Sequence, residues 1–68
     1  MIKAWIHKET WLPCFYLDGP DAGLAVSDGA RVILPAEPGR AAVAVCDPLA
    51  PPGVATTYTA GAQRFTLT

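Results

Sequence analysis

Apolar and polar residues alternate along much of this 68-residue chain. Near its start, Ile2, Ala4 and Ile6 fall on one face of an extended backbone, and near its end Phe65 and Leu67 do the same. Strict alternation is typical of a β-strand with one buried face. No segment combines a helical period with a start and a stop for a helix. The pattern therefore predicts an all-β protein with no helix of three or more turns.

Turn-forming residues divide the chain into about six or seven short strands, a spacing typical of a sandwich or barrel. Asp28-Gly29 lies between the apolar runs Leu24–Val26 and Ala30–Leu34, which predicts a hairpin whose two central residues have positive φ. We expect a small antiparallel β-sandwich. A self-contained sandwich usually needs about 100 residues, so this one is either a minimal sheet completed by a partner or an incomplete domain. Residues 1–68 are thus interpreted as one domain or as the N-terminal fragment of a longer protein.

Two segments of the chain are apolar on both faces or nearly so. Trp11–Leu17 is apolar on both faces, and Pro13 should make it an edge strand or introduce a bulge, because proline has no N–H to donate. Ala41–Cys46 is predicted to be the most buried strand, with Val43 and Val45 on one face and small residues on the other.

A proline-rich crossover, Asp47–Gly53, should separate that strand from the next. Proline cannot continue a sheet ladder, so no strand is expected there. After it, Val54 and Tyr58 are predicted to point inward. We expect the Tyr58 ring to lie in the core and its hydroxyl to bond backbone in or near the crossover.

The composition favours a protein that packs against partners. Half of the residues are hydrophobic (51%) and only 16% are charged, which is apolar for a small free monomer. The net charge is −1 with no basic stripe, so binding to nucleic acid is not expected. No run approaches the roughly 20 apolar residues of a membrane-spanning helix, so no membrane partner is expected either.

Three aromatic residues, Trp5, Trp11 and Tyr16, are candidates for an interface. Trp5 lies on the polar face of its strand, where it either covers a neighbouring strand or contacts another subunit. The same three rings are alternatively an exposed platform for sugars. In the first case we expect them to be buried between chains, and in the second to include a coplanar exposed pair.

Catalytic, cofactor-binding and metal-binding residues are not recognisable in this sequence. His7 is the only histidine and is interpreted as a surface residue. Cys14 and Cys46 lack the paired spacing of a zinc site, and they are predicted to be free thiols. Aspartates in glycine-containing turns are interpreted as turn formers, without the spacing of a calcium loop; these are Asp18, Asp21 and Asp28.

The segment Cys46–Tyr58, CDPLAPPGVATTY, resembles a stretch in minor tail proteins of long non-contractile-tailed phages, especially those that infect actinobacteria. In that family the stretch belongs to a fibronectin-type-III-like β-sandwich at the tail tip. The approach to Tyr58 is similar to a tyrosine corner, in which the hydroxyl bonds backbone just upstream. The residues of this predicted structural corner are Pro51, Pro52, Gly53 and Tyr58.

The resemblance implies a structural virion protein without catalytic residues or cofactors, made in the host cytoplasm and incorporated into the tail. Its expected partners are other tail proteins (tube, distal tail or hub) and copies of itself. It covers about the last third of the chain, and the usual family members are several times longer. The alternative function is a small carbohydrate-binding or adhesion module.

Overall fold

Seven short strands make up nearly all the regular structure of the computed structural model, which describes all 68 residues. A single 3₁₀ helix, Gly19–Gly23, is the only helical segment, so the all-β prediction is confirmed. In chain order the strands are β1 (Ile2–Ile6), β2 (Pro13–Asp18), β3 (Val26–Ser27), β4 (Val32–Leu34), β5 (Ala42–Cys46), β6 (Thr56–Ala60) and β7 (Gln63–Leu67).

The strands form two antiparallel sheets that pack as a small β-sandwich. One sheet has the order β1-β2-β5 and the other β4-β3-β6-β7. In constant-type immunoglobulin domains, the first, second, fifth and fourth strands form one sheet, and the third, sixth and seventh form the other. This chain follows that order except that β4 lies beside β3. The connections between sheets therefore have an immunoglobulin-like arrangement.

The core lies between the sheets and is built from alternate residues of both. Phe15 and Tyr58 pack edge to face, with ring centroids 4.7 Å apart and planes inclined by 68°. Ile2, Ala4, Phe65 and Leu67, all predicted to point inward, are partly buried against this cluster. The buried members of the cluster are Phe15, Leu17, Val26, Leu34, Tyr58 and Ala60.

The prediction that Pro13 disturbs its strand is wrong. β2 is the central strand of its sheet, with Pro13 as its first residue and Trp11 in the preceding turn. A proline that begins a strand leaves the rest of the ladder intact. Its carbonyl still accepts a hydrogen bond from the Asp47 N–H at 2.9 Å.

Strand β5 also differs from its prediction, because it is an edge strand rather than the most buried one. Val43 and Val45 are half-buried against the core as expected, but Ala42 and Ala44 are exposed. Val54, predicted to point inward, is 53% exposed because β6 begins only at Thr56. The period-two pattern places side chains on the right faces but does not specify which strand has a neighbour on each side.

The hairpin predicted around Asp28-Gly29 is present between β3 and β4. Its loop has four residues, and only Gly29 has a positive φ (88°), so the prediction of two left-handed residues is wrong. The Asp28 carboxylate explains the difference. One of its oxygens accepts hydrogen bonds from the N–H groups of Ala30 (3.0 Å) and Arg31 (2.7 Å). Asp28 is thus a turn former, as expected, but it stabilises a wider turn.

Cys14 and Cys46 form a disulfide bond, which overturns the prediction of free thiols. They face each other directly on β2 and β5. The Asp47 N–H to Pro13 carbonyl bond identifies them as a non-hydrogen-bonded pair, the kind in which opposed side chains lie closest. Their Cα atoms are 4.0 Å apart although 32 positions separate them in sequence. The sequence spacing gave no indication of this proximity.

Candidate interaction surface

Trp5 and Tyr16 lie on the outer face of the β1-β2-β5 sheet, the side that points away from the core. Phe15 and Leu17 point into the core, so the alternate residues of β2 point outward. The register places Trp5 opposite Cys14 and Lys3 opposite Tyr16. Trp5 is 40% exposed and Tyr16 is half-buried. The outer face is therefore largely apolar, with few charged groups.

Trp11 lies outside both sheets, in the loop between β1 and β2. This loop is closed by hydrogen bonds from the His7 N–H to the Leu12 carbonyl (2.9 Å) and from the Trp11 N–H to the His7 carbonyl (2.8 Å). His7 also organises the loop with its ring. Its Nδ1 accepts hydrogen bonds from the N–H groups of Glu9 (3.2 Å) and Thr10 (3.3 Å). The lone histidine thus positions the segment that carries Trp11.

The backbone of Trp11 has an unfavourable conformation. Its φ is 61°, and every other residue with positive φ is a glycine. For a residue with a Cβ, the left-handed region costs about 1–2 kcal/mol. The side chain is 66% exposed, so burial offsets little of that cost. Folding alone does not explain a tryptophan at this position.

In the third candidate region, around Tyr58, the partner of the tyrosine hydroxyl is a buried carboxylate and not a backbone group. Tyr58 and Asp47 are both completely buried, and the Tyr58 hydroxyl donates to Oδ2 of Asp47 at 2.7 Å. The predicted backbone acceptor is therefore wrong. The rest of the predicted structural corner, Pro51, Pro52 and Gly53, is exposed to solvent. What connects the crossover to the core is the side chain of Asp47.

Arg31 completes this network from the β3–β4 hairpin. It donates from Nη1 to Oδ1 of Asp47 (2.9 Å) and from Nη2 to Oδ2 (2.6 Å), while Nη2 also contacts Asp28 at 3.0 Å. The Leu49 N–H donates to Oδ1 of Asp47 at 3.1 Å. Every buried side-chain polar atom of the chain has a partner. The network ties the end of β5 in one sheet to the other sheet.

The contacts of this network favour an ionised Asp47 and a neutral Tyr58. The Arg31 guanidinium lowers the pKa of Asp47 against the opposing effect of burial. Burial raises the pKa of Tyr58, and the neighbouring Asp47 carboxylate raises it further. Each oxygen of the Asp47 carboxylate accepts two hydrogen bonds, so the ionised group has no free lone pair for proton transfer with a substrate. The arrangement is that of a structural connection.

The network predicts a loss of stability at both ends of the pH scale. Asp47 has a lowered pKa when folded, so its contribution is complete above its unfolded pKa of about 3.9 and is lost as the pH falls through the folded value. Tyr58 has a raised pKa, so its contribution is complete below about 10 and declines as the pH rises above that. Urea unfolding measured between acid and alkaline pH checks this. In Tyr58→Phe the alkaline decline should be smaller; an unchanged decline would contradict the assignment.

The remaining polar residues offer little for chemistry. Asp18 and Asp21 contact the Met1 amino group at 2.9 and 2.7 Å. No group of three or more His, Cys, Asp or Glu side chains is placed to hold a metal ion. No helix has the length and apolar character to span a bilayer.

One open groove lies beside the 3₁₀ helix, with a volume of about 460 Å³. Its only charged side chain, Arg40, is paired with Glu37, so the groove presents mainly glycine and proline backbone to a ligand. No family model, curated protein or solved structure matches this chain. Inferences about function therefore rest on the surface itself and on the resemblance of Cys46–Tyr58.

Proposed function

We propose that this chain is a structural, non-enzymatic component of a phage tail tip. It packs its outer β-surface and the β1–β2 loop against other tail proteins (tube, distal tail or hub) and against copies of itself. The resemblance of Cys46–Tyr58 to tail-tip minor proteins supports this proposal. The immunoglobulin-like strand order supports it further, because a β-sandwich is the fold that the resemblance implies.

The observation that carries the proposal is the exposed, strained Trp11. The loop needs a residue with positive φ at this position, but a large exposed tryptophan there, in place of glycine, favours a functional constraint. Tryptophan is also the side chain that contributes most strongly to protein interfaces when it is desolvated. Together with Trp5 and Tyr16, it gives the chain three large aromatic groups outside its core.

The arrangement of the aromatic rings favours a protein contact over a sugar platform. For a sugar platform we expected an exposed, coplanar pair of rings. The two close ring pairs in the chain are Phe15–Tyr58 and Phe15–Phe65, and Phe15 and Tyr58 are buried in the core. Trp5, Trp11 and Tyr16 form no such pair.

The disulfide is consistent with a virion location. Disulfides are rare in a reducing cytoplasm but persist on the surfaces of virions. We propose that the chain is made in the host cytoplasm as a dithiol and that the bridge closes after release, when dissolved oxygen outside the cell accepts the two electrons and two protons that the thiols lose. The disulfide also fits the alternative, a small carbohydrate-binding or adhesion module, and taken alone it favours a secreted protein.

Immunogold labelling of purified virions tests the proposal. An antibody against the folded chain should label one end of the tail, and the chain should be detected by mass spectrometry in tails freed of soluble protein. As a parallel arm, the isolated chain is titrated with host cell-wall polysaccharide while tryptophan fluorescence is recorded. Absence from virions together with saturable polysaccharide binding would replace the tail role with the adhesion role.

Substitutions of Trp11 should show whether this residue serves the fold of the chain or a contact with another protein. Trp11→Gly is expected to stabilise the isolated chain by about 1 kcal/mol, because glycine adopts positive φ without the Cβ penalty but loses more entropy on folding. The same variant should enter tails poorly. Urea unfolding and quantitative mass spectrometry of virions provide the two measurements.

Trp11→Ala is the matched control, because it removes the indole but keeps the Cβ. Like Trp11→Gly, this variant should be incorporated poorly into tails. Unlike Trp11→Gly, it should not make the isolated chain more stable. If Trp11→Gly destabilises the isolated chain, the indole supports the fold, and the functional interpretation of its strain fails.

A further inference from the structure

The open edge of β5 has an unpaired row of backbone groups. β5 pairs only with β2, and Val43 and Val45 are the residues that exchange hydrogen bonds with it. The N–H and C=O groups of Ala42, Ala44 and Cys46 therefore point away from β2. They take no part in the backbone hydrogen bonds made outside the strands. All three residues are exposed.

This edge lacks the features that usually prevent strands from pairing with other chains. Proteins protect exposed edges with charged side chains, prolines, bulges or very short strands. The other edge strands have such protection, since β1 contains Lys3, β7 contains Arg64, and β4 has three residues followed by Pro35. The sequence of β5, AVAVC, contains neither a charge nor a proline, and its pairing with β2 is regular.

The edge is complementary to itself. If two copies pair antiparallel around a two-fold axis at Ala44, Ala44 lies opposite its own copy, and Ala42 lies opposite Cys46 of the second copy. All the outward N–H and C=O groups of these residues then find partners. Alanine opposite alanine leaves room for the backbones to approach. Val43 meets Val45 of the second copy on the core side, which continues the apolar layer.

We propose that β5 is a pairing site for β5 of a second copy of this chain, which joins two β1-β2-β5 sheets into one continuous six-stranded sheet. A two-fold axis perpendicular to the sheet keeps both outer faces on the same side. The Trp5 and Tyr16 side chains of both copies then form one extended surface. The proposal concerns the strand edge and holds independently of a role in phage tails.

Sedimentation equilibrium of the oxidised chain over a wide concentration range tests the pairing, with Ala44→Pro as the disrupting variant. Proline removes the N–H at the axis in both copies, which should weaken dimerisation by about 30-fold. The Ala44 N–H is not used within the chain, so an edge proline should leave the fold intact. Ala44→Lys should weaken dimerisation as well, because it opposes two like charges. Ala62→Lys, an exposed alanine in the β6–β7 turn, is the matched control and should dimerise like the unmodified chain.

A measurement on the unmodified chain keeps the test independent of how the variants fold. In a mixed sample of labelled and unlabelled chains, NMR should detect an intermolecular contact between the α-hydrogens of Val43 and Val45, the closest pair across the proposed axis. A monomer at millimolar concentration would overturn the proposal. So would a dimer that lacks this contact, or one that Ala44→Pro and Ala44→Lys leave unchanged.

Discussion

Reduction of the Cys14–Cys46 bond is expected to lower the stability of the isolated chain by about 3–4 kcal/mol. The bond closes a long loop, because its cysteines are 32 positions apart in the sequence, and it thereby restricts the unfolded chain. For a domain of this size, that loss corresponds to a fall in Tm of about 15–25 °C. Urea unfolding with and without a phosphine reductant, at constant pH, measures the effect.

The double variant Cys14→Ala/Cys46→Ala is the control for side effects of the reductant. It should be as unstable as the reduced chain, within about 1 kcal/mol, because it lacks the same covalent link. Reductant should leave its unfolding curve unchanged. If reductant also leaves the unmodified chain unchanged, and alkylation without reduction labels both cysteines, then the residues are free thiols.

Asp47→Ala should cost about 3–5 kcal/mol, the range found when one partner of a buried ion pair is removed. The substitution leaves the buried Tyr58 hydroxyl and one side of the Arg31 guanidinium without an acceptor. It also detaches the start of the Asp47–Gly53 crossover from the core. A small domain has a total stability of only a few kcal/mol, so the variant should be largely unfolded or close to it.

Two comparisons show whether the cost arises from the network. Glu37→Gln breaks an exposed ion pair with Arg40 and should cost at most about 1 kcal/mol. Tyr58→Phe removes a single donor to Asp47 and should cost about 1–3 kcal/mol, because the carboxylate keeps Arg31. A cost for Asp47→Ala as small as that for Glu37→Gln would show that Asp47 does not connect the two sheets.

Local patterns in the sequence were sufficient to predict most strands and most inward-facing residues. The alternation of Phe65 and Leu67, the turn residues Asp28-Gly29 and the inward Tyr58 all depend on a few neighbouring positions. Whether a strand lies at an edge or in the centre depends on partners that are distant in the chain. This is why β5, expected to be the most buried strand, proved to be an edge, while β2, expected to be an edge strand or to carry a bulge, proved to be central.

The contacts that join distant segments were not predictable for the same reason. Arg31 reaches Asp47 across 16 positions, and neither residue belongs to a recognisable pattern. Cys14 and Cys46 are adjacent only because β2 pairs with β5 in one particular register. Trp5, Trp11 and Tyr16, the candidate interface residues, lie outside the core. Their role in an interface remains a prediction.

The most direct test of the proposed function is hydroxyl-radical footprinting of Trp5 and Trp11, in intact virions and in the isolated chain. Mass spectrometry of the digested protein gives the oxidation of each tryptophan, and buried Tyr58 provides an internal reference that should react weakly in both samples. We predict that both tryptophans are oxidised readily in the isolated chain and are strongly protected in the virion. Equal oxidation in the two samples would contradict a contact role for this surface.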